Sequence, residues 1–271
     1  MHVFTKSARP YGVIFVETLD VALAAAATLV AVAFGLSTFD RWSRRRRPYE
    51  LAWTVALLLF AIGAGALWWA EARGWSGPTF RVFFLAGAIL NVPWLALGTV
   101  YLVAGPVTGH RVRAWLVFLS GLAVGVMAST PLKGPVPTDE LPEGRELFGA
   151  LPRILAAVGS GLSAIVIFAG AIWTTWQFLR TRSAPPGRVA GNLLIAAGTI
   201  VLSASGTLAG RLGKDRAFIV TLLVGIVILF AGFLVAGTRA ARPVNRPDTR
   251  VEETGSGDAP ERAAAPSRAA G

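Results

Sequence analysis

Seven stretches without a single Asp, Glu, Lys or Arg constrain this chain more than any other feature: residues 21–39, 51–70, 82–109, 114–132, 154–179, 189–210 and 217–238. An apolar helix needs about 20 residues to cross a hydrocarbon core of roughly 30 Å, and inside that core every backbone N–H and C=O must bond within its own segment. One such run can arise by chance; seven, separated by short charged connections, cannot. Hydrophobic residues make up 54% of the chain and charged ones 15%, against about 25% charged in soluble domains. The expected fold is therefore an all-α membrane protein, a bundle of seven transmembrane helices spanning about 21–39, 51–70, 82–104, 114–132, 154–179, 189–210 and 217–238.

The remaining charges read as topology signals. Arg44, Arg45, Arg46 and Arg47 follow the first run directly, and such a block resists translocation and holds its end in the cytoplasm. The N-terminus is then outside and, after seven crossings, the C-terminus inside. Inner connections at 40–50, 110–113 and 180–188 hold ten Arg in 24 positions, whereas outer ones at 71–81, 133–153 and 211–216 hold eight Lys or Arg in 38. Trp42, Trp53, Trp115, Trp173 and Trp176 fall near the expected inner surface, and Trp68, Trp69 and Trp75 near the outer one, as interfacial indoles do. The positive block lies after the first run, which reads as an uncleaved anchor and not a signal peptide. Residues 1–20 form an extracytoplasmic segment. Residues 239–271 lack aromatics and are rich in Ala, Pro, Gly, Arg and Glu, the composition of a disordered cytoplasmic tail. Arg in place of Lys, with abundant Ala and Gly, points to a bacterium with a GC-rich genome.

Several chemistries are excluded by what the chain lacks. With no Cys, thiolate nucleophiles and cysteine metal sites are absent. The two His are His2 and His110, so no imidazole pair can ligate haem or copper inside the bundle. No Lys lies in an uncharged run to carry a retinal Schiff base. No metal or other cofactor is expected. The net charge of +11 is explained by flanking Arg, and nucleic acid is not an expected partner. Glu17, Asp20, Glu50 and Glu71 lie at span edges, and none is expected deep in the bilayer. A charge at the midplane costs about 2.5–3.5 kcal/mol on insertion scales, and its absence disfavours ion-coupled transport.

Two polar patterns stand out within the runs. Asn91, Pro93 and Trp94 sit near the middle of the third span. Pro93 removes the amide that would bond the Ile89 carbonyl, so a kink is expected, and Asn91 must find a partner in a medium that offers none. Helical spacing places Asn91, Leu95 and Gly98 on one face with Gly87 a turn earlier, a face expected to point into the bundle. In the sixth span Thr199, Ser203 and Gly206 follow 4 and 3 spacing, with Asn192 two turns before Thr199. Both patterns admit a packing role, through interhelical or i−4 hydrogen bonds, and a pocket-lining role for Asn91, Pro93, Trp94, Asn192, Thr199 and Ser203. Ser203–Gly206 and Gly159–Gly161 resemble serine-protease loops only superficially, since no base is at hand.

Gly121 with Gly125, Gly187 with Gly191 and Gly206 with Gly210 are pairs at spacing four that allow close helix approach. They are expected to pack the bundle, with a homodimer through Gly121 and Gly125 as the alternative. The connection 133–153 carries Pro135, Pro137 and Pro142 among Asp139, Glu140, Glu143 and Glu146, and reads either as a solvated connector or as a stiff acidic cap. Similar endings, Tyr101–Gly105 and Phe233–Gly237, hint at a three-plus-one-plus-three repeat.

The stretches 49–69 and 80–105, with the turn GWSGPTFRVFF and the segment NVPWLALGTVYL, resemble a group of actinobacterial seven-helix integral membrane proteins of unassigned function. The resemblance covers mainly the second and third spans and implies a bacterial cytoplasmic-membrane location, with no catalytic residues. Taken together, the residues lead us to expect a non-enzymatic integral membrane protein, a sensor, accessory or scaffold subunit with a membrane or cytoplasmic protein partner besides the lipid bilayer. The alternative is a facilitator or uniporter for a small neutral solute, using a midplane pocket around Asn91, Pro93 and Trp94.

Overall fold

The structure is a computed structural model and describes the backbone of residues 11–181, 190–191, 193–195, 197–202 and 214–237, with side chains from residue 18 onward apart from a few positions. The expected tail at 239–271, and all of the N-terminal segment before residue 11, lie outside the described residues. Those described form helices and no strand. They are α1 (Tyr11–Arg45), α2 (Pro48–Arg73), α3 (Gly77–Phe83) continuing as a π-helical segment (Phe84–Leu90), α4 (Asn91–Ser129), α5 (Gly144–Leu147), α6 (Ala150–Thr181), α7 (Leu193–Leu202) and α8 (Lys214–Gly237). Five of the described helical stretches are long and apolar enough to cross a membrane: those within α1, α2, Gly77–Ser129, α6 and α8. Helix α1 starts well before the first uncharged run, because Glu17 and Asp20 break no helix; an uncharged run marks what lipid can cover, not where a helix begins.

α1 and α2 form a hairpin whose turn is Arg46 and Arg47. Arg46 takes a left-handed φ of 51°, and its N–H bonds the Trp42 carbonyl at 2.7 Å. Pro48 opens α2, where its missing N–H costs nothing. Gly35 against Leu57 and Leu58, and Gly65 against Thr28, fix the antiparallel register. α8 joins this hairpin through Phe34, whose ring lies 4.8 Å from both Phe230 and Phe233.

Gly77–Ser129 is two helical limbs that meet at Gly105 with no loop between them. At Gly105 the backbone adopts φ 81°, ψ 174°, a conformation open essentially to glycine, and Pro106 follows. Side chains then pair across the break: Tyr101 with His110, Trp94 with Ser120, and Arg81 with the carbonyls of Met127 and Thr130. As one residue number rises, its partner's falls, so the limb after Gly105 runs back antiparallel to the limb before it. The nine-residue connection between the third and fourth uncharged spans is thus almost all helix, with a single glycine as the turn.

At the end of the bundle away from Arg44–Arg47, residues 130–149 fold down as a cap. Lys133 N–H bonds the Leu147 carbonyl at 3.0 Å, and Trp75 N–H bonds that of Thr138 at 3.1 Å. Phe148 is fully buried and stacks on Phe80 with ring centroids 5.2 Å apart. Leu132, Val136 and Leu141 pack on the same core, while Asp139, Glu140 and Glu146 stay exposed. Of the two sequence readings of this connection, the apolar residues between the prolines decide for a cap.

The outside of the bundle is apolar. Leu29, Trp115, Ile165 and Ile172 are 70%, 67%, 66% and 71% exposed, an inversion of what water tolerates in a monomer.

Candidate functional site

Just before Pro93 the helical register changes. Asn91 N–H bonds the Ala86 carbonyl, five residues back, where an α-helix would use four. In that register the donor due to the Ala88 carbonyl is residue 93, and proline has none. Ser160 of α6 supplies it: its hydroxyl donates to the Ala88 carbonyl at 2.6 Å. A Cβ on neighbouring Gly159 would lie 3.6 Å from both the Ile89 oxygen and the Pro93 ring, so this stretch of α6 packs directly against the residues around Pro93. The sequence offered a signal, a Ser between Gly159 and Gly161 in an apolar helix, but not its partner 72 positions away.

Of the face expected to point into the bundle, Gly98 is buried, while Gly87, Asn91 and Leu95 are half-buried and a Cβ on Gly87 would meet nothing within 4 Å. A Cβ on Gly98 would stand 2.0 Å from the Trp53 indole nitrogen, and one on Gly63 of α2 would stand 3.3 Å from the Gly87 backbone. Trp94 instead turns to the returning limb of α4. Its indole donates to Ser120 at 3.2 Å, and Ser120 donates onward to the Leu116 carbonyl at 2.7 Å. Asn91 is half-buried at the junction of π- and α-helix, and no hydrogen bond links its side chain to a described residue. Thr199 is buried in α7 and donates to the Ile195 carbonyl, one turn back, at 2.8 Å. The Asn192 side chain and Ser203 lie outside the described residues.

A groove of about 350 Å³ opens between α4 and α6, lined by Thr99, Val103 and Ala104 on one side and Val166, Gly170 and Trp173 on the other. It lies two turns beyond Pro93 and includes none of Asn91, Pro93 or Trp94. Gly121 and Gly125 are exposed, with nothing within 4 Å of a Cβ built on either. This pair does not pack the bundle, because the limb that carries it covers the first limb of α4 with its opposite face, where Ser120, Ala123 and Met127 lie.

The acids at the span edges hold a surprise of burial. Glu50 and Asp20 are 4% and 9% exposed. Arg41 lies over the Phe233 ring, 3.6 Å from its centroid, and closes the end of α1, α2 and α8 around Glu50. Arg41 Nε and Glu50 Oε2 are buried there without hydrogen-bond partners. Glu50 is buried for a tertiary reason that its place at a span edge does not reveal: a third helix, distant in sequence, covers the hairpin end. The basic block itself is exposed. Arg44 bonds both Asp40 oxygens at 3.0 Å, Arg46 covers Trp42, and Arg47 donates to the Tyr49 hydroxyl at 2.8 Å, which holds its guanidinium pKa above the usual value.

Long apolar helices, an apolar exterior and internally satisfied backbone define the class, an all-α multi-pass membrane protein. Comparison with protein families, with curated proteins and with solved structures finds no match.

Proposed function

We propose that this chain crosses the bacterial cytoplasmic membrane seven times, N-terminus outside, and acts without catalysis as a sensor, accessory or scaffold subunit. The resemblance of its second and third spans to actinobacterial seven-helix proteins belongs to this proposal. The seven crossings are supported by the reversal at Gly105 and by α8 lying parallel to α1. Ala24 and Ile219 share one core cluster while Phe34 meets Phe230 and Phe233, so the start of α1 and the end of α8 face opposite sides.

The observation that carries the non-enzymatic reading is how the polar side chains of the spans are used. Thr28, Thr38, Thr54, Ser120, Thr174, Thr199 and Thr221 all donate to carbonyls of their own helix, Ser160 repairs the proline kink, and Trp94 ties one limb of α4 to the other. Hydroxyls bound in this way hold helices together and leave little polarity to line a path. A facilitator for a small neutral solute is favoured by one observation, the unbonded Asn91 amide beside a π-helical segment, a feature frequent at functional sites.

Flux of a panel of small neutral solutes into proteoliposomes separates the two. The subunit reading expects no flux above protein-free vesicles; a flux abolished in a folded Asn91→Leu variant overturns it in favour of the facilitator.

A further inference from the structure

The groove between α4 and α6 ends in a ladder of aromatic and cationic groups. Trp173, which forms its wall, lies 5.4 Å from Trp176, and the Arg180 guanidinium stands 4.8 Å over the Trp176 ring. These three residues follow at spacings of three and four along α6, so they share one face. The two helices run parallel, since Ala88 meets Ser160 and Thr99 meets Gly170. The ladder therefore continues past the groove in the direction of Gly105, toward the turn of α4. Arg111 and Arg113, both exposed, begin the returning limb at the level of Tyr101, because His110 is hydrogen-bonded to Tyr101 at 3.1 Å.

The order along this face is thus apolar slot, indole, indole, guanidinium. We propose that the groove is a binding site for one anionic phospholipid. An acyl chain fills the slot between Val103 and Trp173, and the phosphate meets Arg180. Three observations choose this occupant. The walls are apolar apart from the Thr99 hydroxyl and the Trp173 indole N–H, and Ala104, Ala169 and Trp173 are exposed. Arg180 has its guanidinium on an indole and no carboxylate partner among the described residues, so its charge is available. Gly170 exists to shape the slot: a Cβ there would stand 2.3 Å from the Thr99 methyl group and drive the helices apart. The site depends on the membrane class and on neither reading of function.

The test uses the full chain in nanodiscs of phosphatidylglycerol and phosphatidylcholine in equal amounts, with the lipids that stay on the protein counted by native mass spectrometry. The wild type should retain one lipid with phosphatidylglycerol favoured about fivefold, the order expected for one Arg acting on an anionic head group. Arg180→Gln should keep a lipid and lose most of the preference. Ala104→Phe, at an exposed wall position, fills the slot without disturbing the core and should abolish retention of either lipid. Equal retention of both lipids by the wild type overturns the proposal, as does a wild-type preference that Ala104→Phe leaves intact, or a second copy of the chain found on this face in place of lipid.

Discussion

Two interruptions fall within Gly77–Ser129, and the chain resolves them in opposite ways. At Pro93 the helix carries on: the register widens to a π-turn, and the carbonyl without a donor is bonded by Ser160. At Gly105 and Pro106 the helix reverses, because glycine takes a φ of 81° that sends the next turn back along the first. Proline alone removes one hydrogen bond and leaves the direction to its neighbours, whereas a glycine with positive φ sets the direction itself. The first interruption needs another helix to complete it. The second is complete within a few residues and is only held in place by Tyr101 and His110.

The contrast can be broken most severely at the turn. Gly105→Ala meets no neighbouring atom within 4 Å, so its whole cost is backbone strain, about 2 kcal/mol, read as a lower denaturation midpoint in detergent. No loss of stability there would mean that the left-handed turn is not what reverses the chain. A middle-sized effect is expected at the kink. Ser160→Ala leaves the Ala88 carbonyl without its partner and should cost about 1 kcal/mol. In a Pro93→Ala background, where the amide returns, the same substitution should cost about half as much; equal costs in the two backgrounds would uncouple Ser160 from the proline. The smallest change sharpens how the two limbs are held together. Trp94→Phe removes the bond to Ser120 and keeps the packing, for about 0.6 kcal/mol, the average for an interhelical hydrogen bond in a membrane protein. A loss above about 2 kcal/mol would instead make this bond the main tie between the limbs.

Much of the scaffold was legible in the residues. The uncharged runs mark helices because hydropathy acts within each segment, and Gly98 is buried against Trp53, as its helical spacing predicts. The missing amide of Pro93 marked where the helical hydrogen bonding would be interrupted. Less of the candidate site was legible. Ser160 could not be assigned to Pro93, since nothing local connects residues 72 positions apart. Trp94 was open to a packing or a pocket-lining role, and which residue it would bond across the Gly105 turn could not be read from its own span. The groove at Thr99 and Trp173 has no signature at all, being a gap left by the shapes of two ordinary apolar helices.

The amino-acid sequence on its own determined the solvent, the helices and the place where proline interrupts them, for each is a property of a short segment and its backbone valences. Only the tertiary structure decided which carbonyl Ser160 would repair, that α8 would bury Glu50 beneath Arg41 and Phe233, and where a groove would remain between α4 and α6. Those outcomes depend on which helix faces stand against each other, and in a medium where nearly every face is equally apolar, hydropathy carries no record of that choice.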